Sequence, residues 1–158
     1  QPDASLPLRG KISGAYVTSS MAKTEAVARG FDEAIMLNVG GKVSEASAMN
    51  LFMVRDGALI TPGVDQDILE GITRKSIITM AKDLGISVIE RPVDKTELYI
   101  ADEFFLCGSM ARITPVNSVE HRPLPKEHPI TDQLRTLLTA ISKNQSQKYS
   151  AWSDVITY

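Results

Sequence analysis

Hydrophobic positions along the chain switch repeatedly between helical spacing and short continuous runs. Helical spacing predicts a first helix over residues 17–29, with Gly30 as its stop. A second helix is predicted over residues 73–84, ended by Gly85. A final amphipathic helix is predicted over residues 130–141.

Short apolar runs between glycines and prolines predict strands. The predicted strands cover residues 34–39, 51–54, 58–61, 86–91 and 103–107. Gly40-Gly41 predicts one hairpin turn, and Asp56-Gly57 predicts a second because this dipeptide readily supplies positive φ angles. Pro115 predicts an edge segment, since proline cannot donate to a central ladder. Residues 94–101 predict a short helix with Leu98 facing inward. Because hairpins interrupt the helices, the fold class is α+β rather than a regular doubly wound sheet.

The composition is that of an ordinary globular protein and argues against nucleic-acid binding and a membrane span. Of the 158 residues, 43% are hydrophobic and 23% charged, which suits one domain with a sizeable core. The net charge of −2 gives no footprint for nucleic acid, and no apolar run approaches the ~20 residues that span a membrane. The single cysteine, Cys107, suits a reducing compartment, so we expect a cytoplasmic location. His121 and His128 lack companions at ligand spacing, and no metal is expected.

One acid stands among small and apolar residues. Glu45 lies in the glycine-bounded stretch of residues 40–57, just before a strand that we expect to be buried. An ionised carboxylate rarely enters such surroundings without a partner, because its desolvation costs several kcal/mol. Glu45 is therefore either a surface charge at a turn or an acid held against a cation that the protein itself does not supply.

A lysine and a tyrosine lie close together near the start of the chain. Lys11 is flanked by small residues and followed by the first predicted helix, and Tyr16 comes five residues later. The plain interpretation is a solvated lysine and a half-buried core tyrosine. The chemical one is an amine that can lose its proton and attack a carbonyl, with a phenol at the same site.

Two further segments could hold an anion. Glu70-Gly71-Ile72-Thr73-Arg74 opens the second helix, where free backbone amides and the helix dipole favour negative charge. Thr73 could equally be an ordinary N-cap. Cys107-Gly108-Ser109-Met110-Ala111 ends a strand in a turn that offers amides and one hydroxyl, or is only a turn.

Together the four segments supply the parts of a pyridoxal phosphate site. Such a site needs an amine for the aldehyde, a carboxylate for the ring nitrogen, a phenol for the ring hydroxyl and amides for the phosphate. A carboxylate beside the pyridine nitrogen keeps that nitrogen protonated, and the cationic ring accepts electrons more readily. The pattern therefore predicts a cofactor-binding protein with pyridoxal 5′-phosphate as the cofactor.

At this point the chain resembles the class IV (fold-type IV) aminotransferases, most closely the branched-chain amino acid group. The resemblance covers nearly the whole chain in order, and its segments are Lys11-Ile12-Ser13-Gly14-Ala15-Tyr16, Ala22-Lys23-Thr24-Glu25-Ala26, Val43-Ser44-Glu45, Asn50-Leu51-Phe52, Leu69-Glu70-Gly71-Ile72-Thr73-Arg74, Ala101-Asp102-Glu103 and Gly108-Ser109-Met110-Ala111-Arg112-Ile113-Thr114-Pro115-Val116. It implies a mixed sheet or pseudo-barrel with flanking helices, as in the C-terminal domain of these enzymes. The family usually has Thr where this chain has Ser109, and the hydroxyl is retained.

The resemblance also implies a role for each candidate residue. Lys11 would bind the cofactor covalently and carry the proton, Tyr16 would contact the phenolic oxygen, and Glu45 would pair with the ring nitrogen. The phosphate would be held by Gly71, Ile72, Thr73 and Ser109. The substrate carboxylate would lie at the backbone of Met110 and Ala111.

The implied activity is transfer of the amino group between branched-chain L-amino acids and 2-oxoglutarate by an enzyme twice this size. Residues 1–8 would then be a linker from an N-terminal domain, and residues 9–158 the C-terminal cofactor domain, inactive alone. A homo-oligomer is expected. D-Amino acid aminotransferase and aminodeoxychorismate lyase share the lysine, glutamate and phosphate cup, although Tyr16 favours the branched-chain group. A non-catalytic cofactor-binding or assembly domain is the alternative from another class.

Overall fold

The computed structural model describes residue 2 and residues 5–152. Within these residues the α-helices are α1 (Tyr16–Ala28), α2 (Ile72–Asp83) and α3 (Pro129–Ser142). The strands are β1 (Ile35–Leu37), β2 (Val43–Ala46), β3 (Asn50–Arg55), β4 (Ala58–Thr61), β5 (Val88–Glu90), β6 (Glu103–Gly108), β7 (Arg112–Pro115), β8 (Ser118–Val119) and β9 (Arg122–Pro123). Short 3-10 helices cover Leu8–Gly10, Ser13–Ala15, Lys95–Ile100 and Gln147–Trp152.

A five-stranded mixed sheet organises the chain. Its strand order is β5-β4-β3-β6-β7, with β3 antiparallel to β4 and β6, and β4 parallel to β5. The hairpins β1-β2 and β8-β9 form separate two-stranded sheets. The α+β prediction is confirmed, and β7, which contains Pro115, lies at the sheet edge as predicted.

The central strand is buried on both faces. Leu51, Phe52 and Met53 on β3 are each no more than 1% exposed. Because successive side chains of a strand point to opposite faces, Phe52 joins the cluster that packs on α2 and α3, while Leu51 and Met53 join a second cluster. Phe52 stacks on Phe105 of β6 with ring centroids 5.2 Å apart. Each such side chain contributes roughly 1.5–3 kcal/mol by its burial.

Local signals place the turns and helix ends close to their predicted positions. Asp56 and Gly57 both have positive φ, 51° and 74°, and they join β3 to β4 as the Asp-Gly signal indicates. The predicted helix over residues 94–101 is a 3-10 helix, capped reciprocally by Asp94 and Glu97.

Two features of the fold were not predicted. The β8-β9 hairpin has strands of two residues, and its turn places Glu120 and His121 at positive φ without a glycine, so it lacks the usual sequence signal. The other is Glu103, which is 3% exposed and accepts hydrogen bonds from the backbone N–H groups of Ile130 (2.9 Å) and Thr131 (2.7 Å). This carboxylate caps α3 from β6, 27 residues away.

No helix in the described part of the chain is long and apolar enough to cross a membrane.

Candidate functional site

One cavity of about 700 Å³ lies where the loop before α1, the β2-β3 connection, the start of α2 and the β6-β7 turn meet. This volume is within the range of ordinary ligand pockets. All of the sequence-predicted site residues line it, namely Lys11, Tyr16, Glu45, Gly71, Ile72, Thr73, Ser109, Met110 and Ala111. Residues up to 100 positions apart in sequence are therefore brought together.

Lys11 ends the 3-10 helix Leu8–Gly10 in a left-handed conformation, with φ 49° and ψ 42°. A residue other than glycine adopts this conformation at a cost of roughly 1–2 kcal/mol. The segment is anchored by Arg9, whose Nε donates to Glu70 Oε1 (3.0 Å) and whose Nη2 donates to the Val64 carbonyl (2.7 Å). The lysine is thus fixed beside the residues that open α2, and its side chain remains exposed at the cavity.

Tyr16 is the first residue of α1 and lies at the cavity mouth. The residue is 38% exposed, lines the cavity and belongs to neither of the two hydrophobic core clusters. The 3-10 helix Ser13–Ala15 leads directly into α1 and joins Tyr16 to the Lys11 segment.

Glu45 is a half-buried carboxylate on β2, not a surface charge at a turn. Its Oε2 accepts hydrogen bonds from Asn50 Nδ2 (2.8 Å) and from the Leu69 backbone N–H (3.1 Å). Burial raises the pKa of Glu45 to about 7, against the lowering effects of the Leu69 N–H and the Arg74 positive charge. The carboxyl is therefore poised between its two protonation states near neutral pH.

The start of α2 presents free amides to the cavity. Gly71 is the N-cap and makes no side-chain capping bond, so Thr73 lies inside the first turn and is not the N-cap. The first amides of a helix have no acceptor within it, and here those of Ile72 and Thr73 belong to cavity-lining residues.

The glycine at this N-cap is required by space, not by backbone conformation. Gly71 has φ −63° and ψ 140°, which any residue adopts. A Cβ at this position would lie 2.3 Å from Asn50 Oδ1, closer than two atoms can pack.

The β6-β7 turn forms the opposite wall. Gly108 ends β6, residues 109–111 form the turn, and Met110 is fully exposed. Cys107, the neighbouring residue, lines the cavity but is 1% exposed. Burial raises the pKa of its thiol to about 12, so Cys107 is not a nucleophile at neutral pH.

Three residues that hold the site together were missed in the sequence. Asn50 binds Glu45, and Arg9 binds Glu70. Asn50 belongs to a segment that carries the family resemblance, and Arg9 lies two residues before Lys11. Arg74 is 2% exposed and donates through Nη2 to the Pro62 carbonyl (2.9 Å) and to Glu90 (2.7 Å), while its Nε has no partner among the described residues. Their partners are 5 to 61 positions away, and no local pattern identifies such pairs.

Chemically, the cavity brings together the Lys11 amine, the half-buried Glu45 carboxylate, the Tyr16 phenol and two backbone segments, at the start of α2 and at the β6-β7 turn. These are the groups that a phosphorylated pyridine aldehyde needs in its binding site. The sequence also matches a known protein family. A family model described as amino-transferase class IV matches residues 1–119. The chain belongs to the class IV aminotransferases.

Within this family, the chain is similar to branched-chain aminotransferases. A probable branched-chain-amino-acid aminotransferase of Synechocystis is 60% identical over 152 residues, which are 96% of this chain and 50% of that protein. The crystal structure of the branched-chain aminotransferase of the thermophilic archaeon Thermoproteus uzoniensis with norvaline has a TM-score of 0.94 at 44% identity, over 96% of this chain and 51% of that one.

The branched-chain amino acid aminotransferase of Thermobaculum terrenum, in its PLP-form, also matches with a TM-score of 0.94 at 41% identity. That match covers 96% of this chain and 50% of the other. The chain thus spans about half the length of the relatives it matches, and its α+β fold is that of fold-type IV enzymes.

Proposed function

We propose that the chain binds pyridoxal 5′-phosphate in this cavity, as the cofactor-carrying half of a branched-chain amino acid aminotransferase. The observation that carries the proposal is Glu45, a half-buried carboxylate that lines the same cavity as Lys11 and the first turn of α2. When bound, the cofactor supplies an aldehyde that captures amino groups and a ring that accepts electrons.

Glu45 suits the nitrogen of a pyridine ring. Its Oε2 is occupied by two N–H donors, whereas no donor among the described residues reaches Oε1. An oxygen left without a donor in a buried carboxylate is a strong acceptor for a protonated nitrogen. A cationic partner would also favour the ionised form of a carboxyl whose pKa burial has raised to about 7.

Lys11 is the residue assigned to amine chemistry. Its amine would hold the aldehyde carbon of the cofactor and, when free, would carry a proton to and from the substrate carbon. Tyr16, which lines the same cavity, would form a hydrogen bond with the phenolic oxygen.

The phosphate is assigned to the α2 amides. Ile72 and Thr73 contribute backbone N–H groups, Gly71 leaves room for close approach, and Ser109 adds a hydroxyl from the opposite wall. The backbone of Met110 and Ala111 is assigned to the substrate carboxylate. The substrates proposed are branched-chain L-amino acids with 2-oxoglutarate, and the names of the relatives support the branched-chain class.

The cavity mouth fits coverage by another part of the same enzyme. Its rim carries exposed apolar side chains, with Leu37 at 39%, Ile72 at 82% and Met110 at 100% exposure. An apolar rim of this kind is typical of an interface. We assign it to an N-terminal domain joined through residues 1–8, of which 1, 3 and 4 lie outside the described residues, with residues 9–158 as the cofactor domain.

We further propose that the chain alone is inactive and that the complete enzyme is a homo-oligomer. The buried, unpaired Cys107 fits a reducing compartment such as the cytoplasm.

Turnover by a full-length enzyme that contains this chain tests the proposal. We expect L-leucine to be consumed with 2-oxoglutarate much faster than D-alanine. Lys11→Ala should abolish turnover, whereas Lys126→Ala, at an exposed position away from the cavity, should leave it unchanged. Preference for D-alanine, or turnover surviving in Lys11→Ala, would contradict the assignment. Cofactor binding without any turnover would favour the non-catalytic alternative.

A further inference from the structure

Asn50 lies at the centre of the site but is not one of the groups assigned to the cofactor. It is the first residue of β3, is 6% exposed, and pairs with Cys107 across the sheet. Its Nδ2 donates to Glu45 Oε2 (2.8 Å) and to the Leu69 carbonyl (2.8 Å). Both protons of the amide are therefore used, one on each side.

The amide oxygen makes a third contact. Asn50 Oδ1 occupies the space that a Cβ on Gly71 would need, since the two would be 2.3 Å apart. Asn50 therefore joins a side chain of β2 to the loop that opens α2. A leucine of similar shape would lose both donors, and an aspartate would set a second carboxylate against Glu45.

These contacts decide which way the Glu45 carboxylate points. Oε2 is held between Asn50 Nδ2 and the Leu69 N–H, and Leu69 is itself bound to Asn50 through its carbonyl. The closed ring of three hydrogen bonds leaves Oε1 as the oxygen available to the cavity. It also fixes the carboxylate relative to Gly71, at the start of the amides assigned to the phosphate.

We infer that Asn50 is a positioning residue, which orients the Glu45 carboxylate and ties it to the N-terminus of α2. The role toward a cofactor rests on the proposed function, whereas the effect of Asn50 on Glu45 does not.

Other groups also act on Glu45 and must stay constant in a test. The charged or titratable side chains that share its cavity are Arg9, Lys11, Tyr16, Asp67, Glu70 and Cys107. Arg74 lies buried behind the site and lowers the pKa of Glu45 by its positive charge. Asn50 carries no charge, so its replacement by a neutral residue removes its hydrogen bonds to Glu45 and Leu69 without changing this charge set.

The test is the titration of Glu45 in the cofactor-free chain by ¹³C NMR of its carboxyl carbon, assigned through the signal lost in Glu45→Gln. A donor to the ionised form lowers a carboxyl pKa. In Asn50→Leu we therefore expect the midpoint to move up by about one pH unit, the size expected for a hydrogen bond to a charged group. If that variant does not fold, Asn50→Ser takes its place. Serine is too short to reach both Glu45 and Leu69, so the Glu45 midpoint should again move up.

Thr61→Val is the matched control. Thr61 is 1% exposed, and its Oγ1 donates to the Leu51 carbonyl (2.8 Å) on the same strand as Asn50 without touching Glu45. It should lose similar stability while leaving the Glu45 midpoint in place. An unmoved midpoint in the Asn50 variants, or an equal movement in Thr61→Val, would overturn the inference.

The affinity of the chain for pyridoxal phosphate is the second measurement. With pyridoxal phosphate added, Asn50→Leu should weaken binding about tenfold relative to Thr61→Val. Equal affinities would contradict the role toward the cofactor. If the unsubstituted chain binds no pyridoxal phosphate, the proposed function fails while the Glu45 titration still decides the role of Asn50.

Discussion

At the scale of single residues, Glu45 shows how burial sets the chemistry of the site. The Leu69 N–H and the nearby Arg74 charge lower the pKa of Glu45, yet burial outweighs them and raises it to about 7. In the cofactor-free chain the protonated form is therefore favoured by folding. A positive charge next to Glu45, such as a protonated ring nitrogen, would stabilise its ionised form.

This imbalance predicts a pH-dependent stability. Because the folded-state pKa lies above the unfolded value, the stabilisation is complete below about pH 4.5 and is lost as pH rises through about 7. Relative to Glu45→Gln, the cofactor-free chain should lose on the order of 2–3 kcal/mol of unfolding free energy across that window. Urea unfolding at several pH values measures it. Parallel curves for the two proteins would contradict the pKa assigned to Glu45.

At the scale of elements, the start of α2 is shaped by its neighbour β3. The helix begins at a glycine with ordinary dihedral angles, because Asn50 on β3 fills the space where a Cβ would be. The start of the helix is thereby held close to the strand, and residues of its first turn line the cavity. Glu103 holds the start of α3 against β6 in a comparable way.

Gly71→Ala should therefore be costly although its backbone conformation permits alanine. We expect a loss of roughly 1–3 kcal/mol from displacement of Asn50, together with weaker pyridoxal phosphate binding. Gly14→Ala is the control, since a Cβ there meets nothing within 4 Å and its φ is not positive. Thermal unfolding and cofactor titration measure both effects. Equal stability of the two variants would refute the close-packing explanation.

At the scale of the whole molecule, the parts with strong local patterns were predictable. The three α-helices begin and end within one residue of the predicted bounds, since periodic apolar positions and glycine stops act locally. Glu45 was found because a carboxylate is unusual among small and apolar residues, whereas Lys11 and the start of α2 were selected because, with Glu45, they supply the parts of one cofactor site. The resemblance to a family then ordered them into one site.

What the sequence could not predict depends on distant contacts. Glu45 meets Leu69 24 residues later, Arg9 meets Glu70 61 residues later, and Glu103 meets Ile130 27 residues later. Asn50, Arg74 and Glu103 are buried polar residues whose partners exist only after folding. In the sequence Asn50 and Glu103 look like polar ends of apolar strands, and Arg74 looks like an ordinary charged residue in the first turn of α2.

The central claim is that this chain captures pyridoxal phosphate on Lys11. Purified chain should be mixed with the cofactor, reduced with borohydride, digested and mapped by mass spectrometry, with Lys11→Ala treated in parallel. We predict an absorbance band near the visible edge before reduction and a single phosphopyridoxyl label on Lys11, with both lost in Lys11→Ala. No band, or a label spread evenly over the surface lysines, would contradict it.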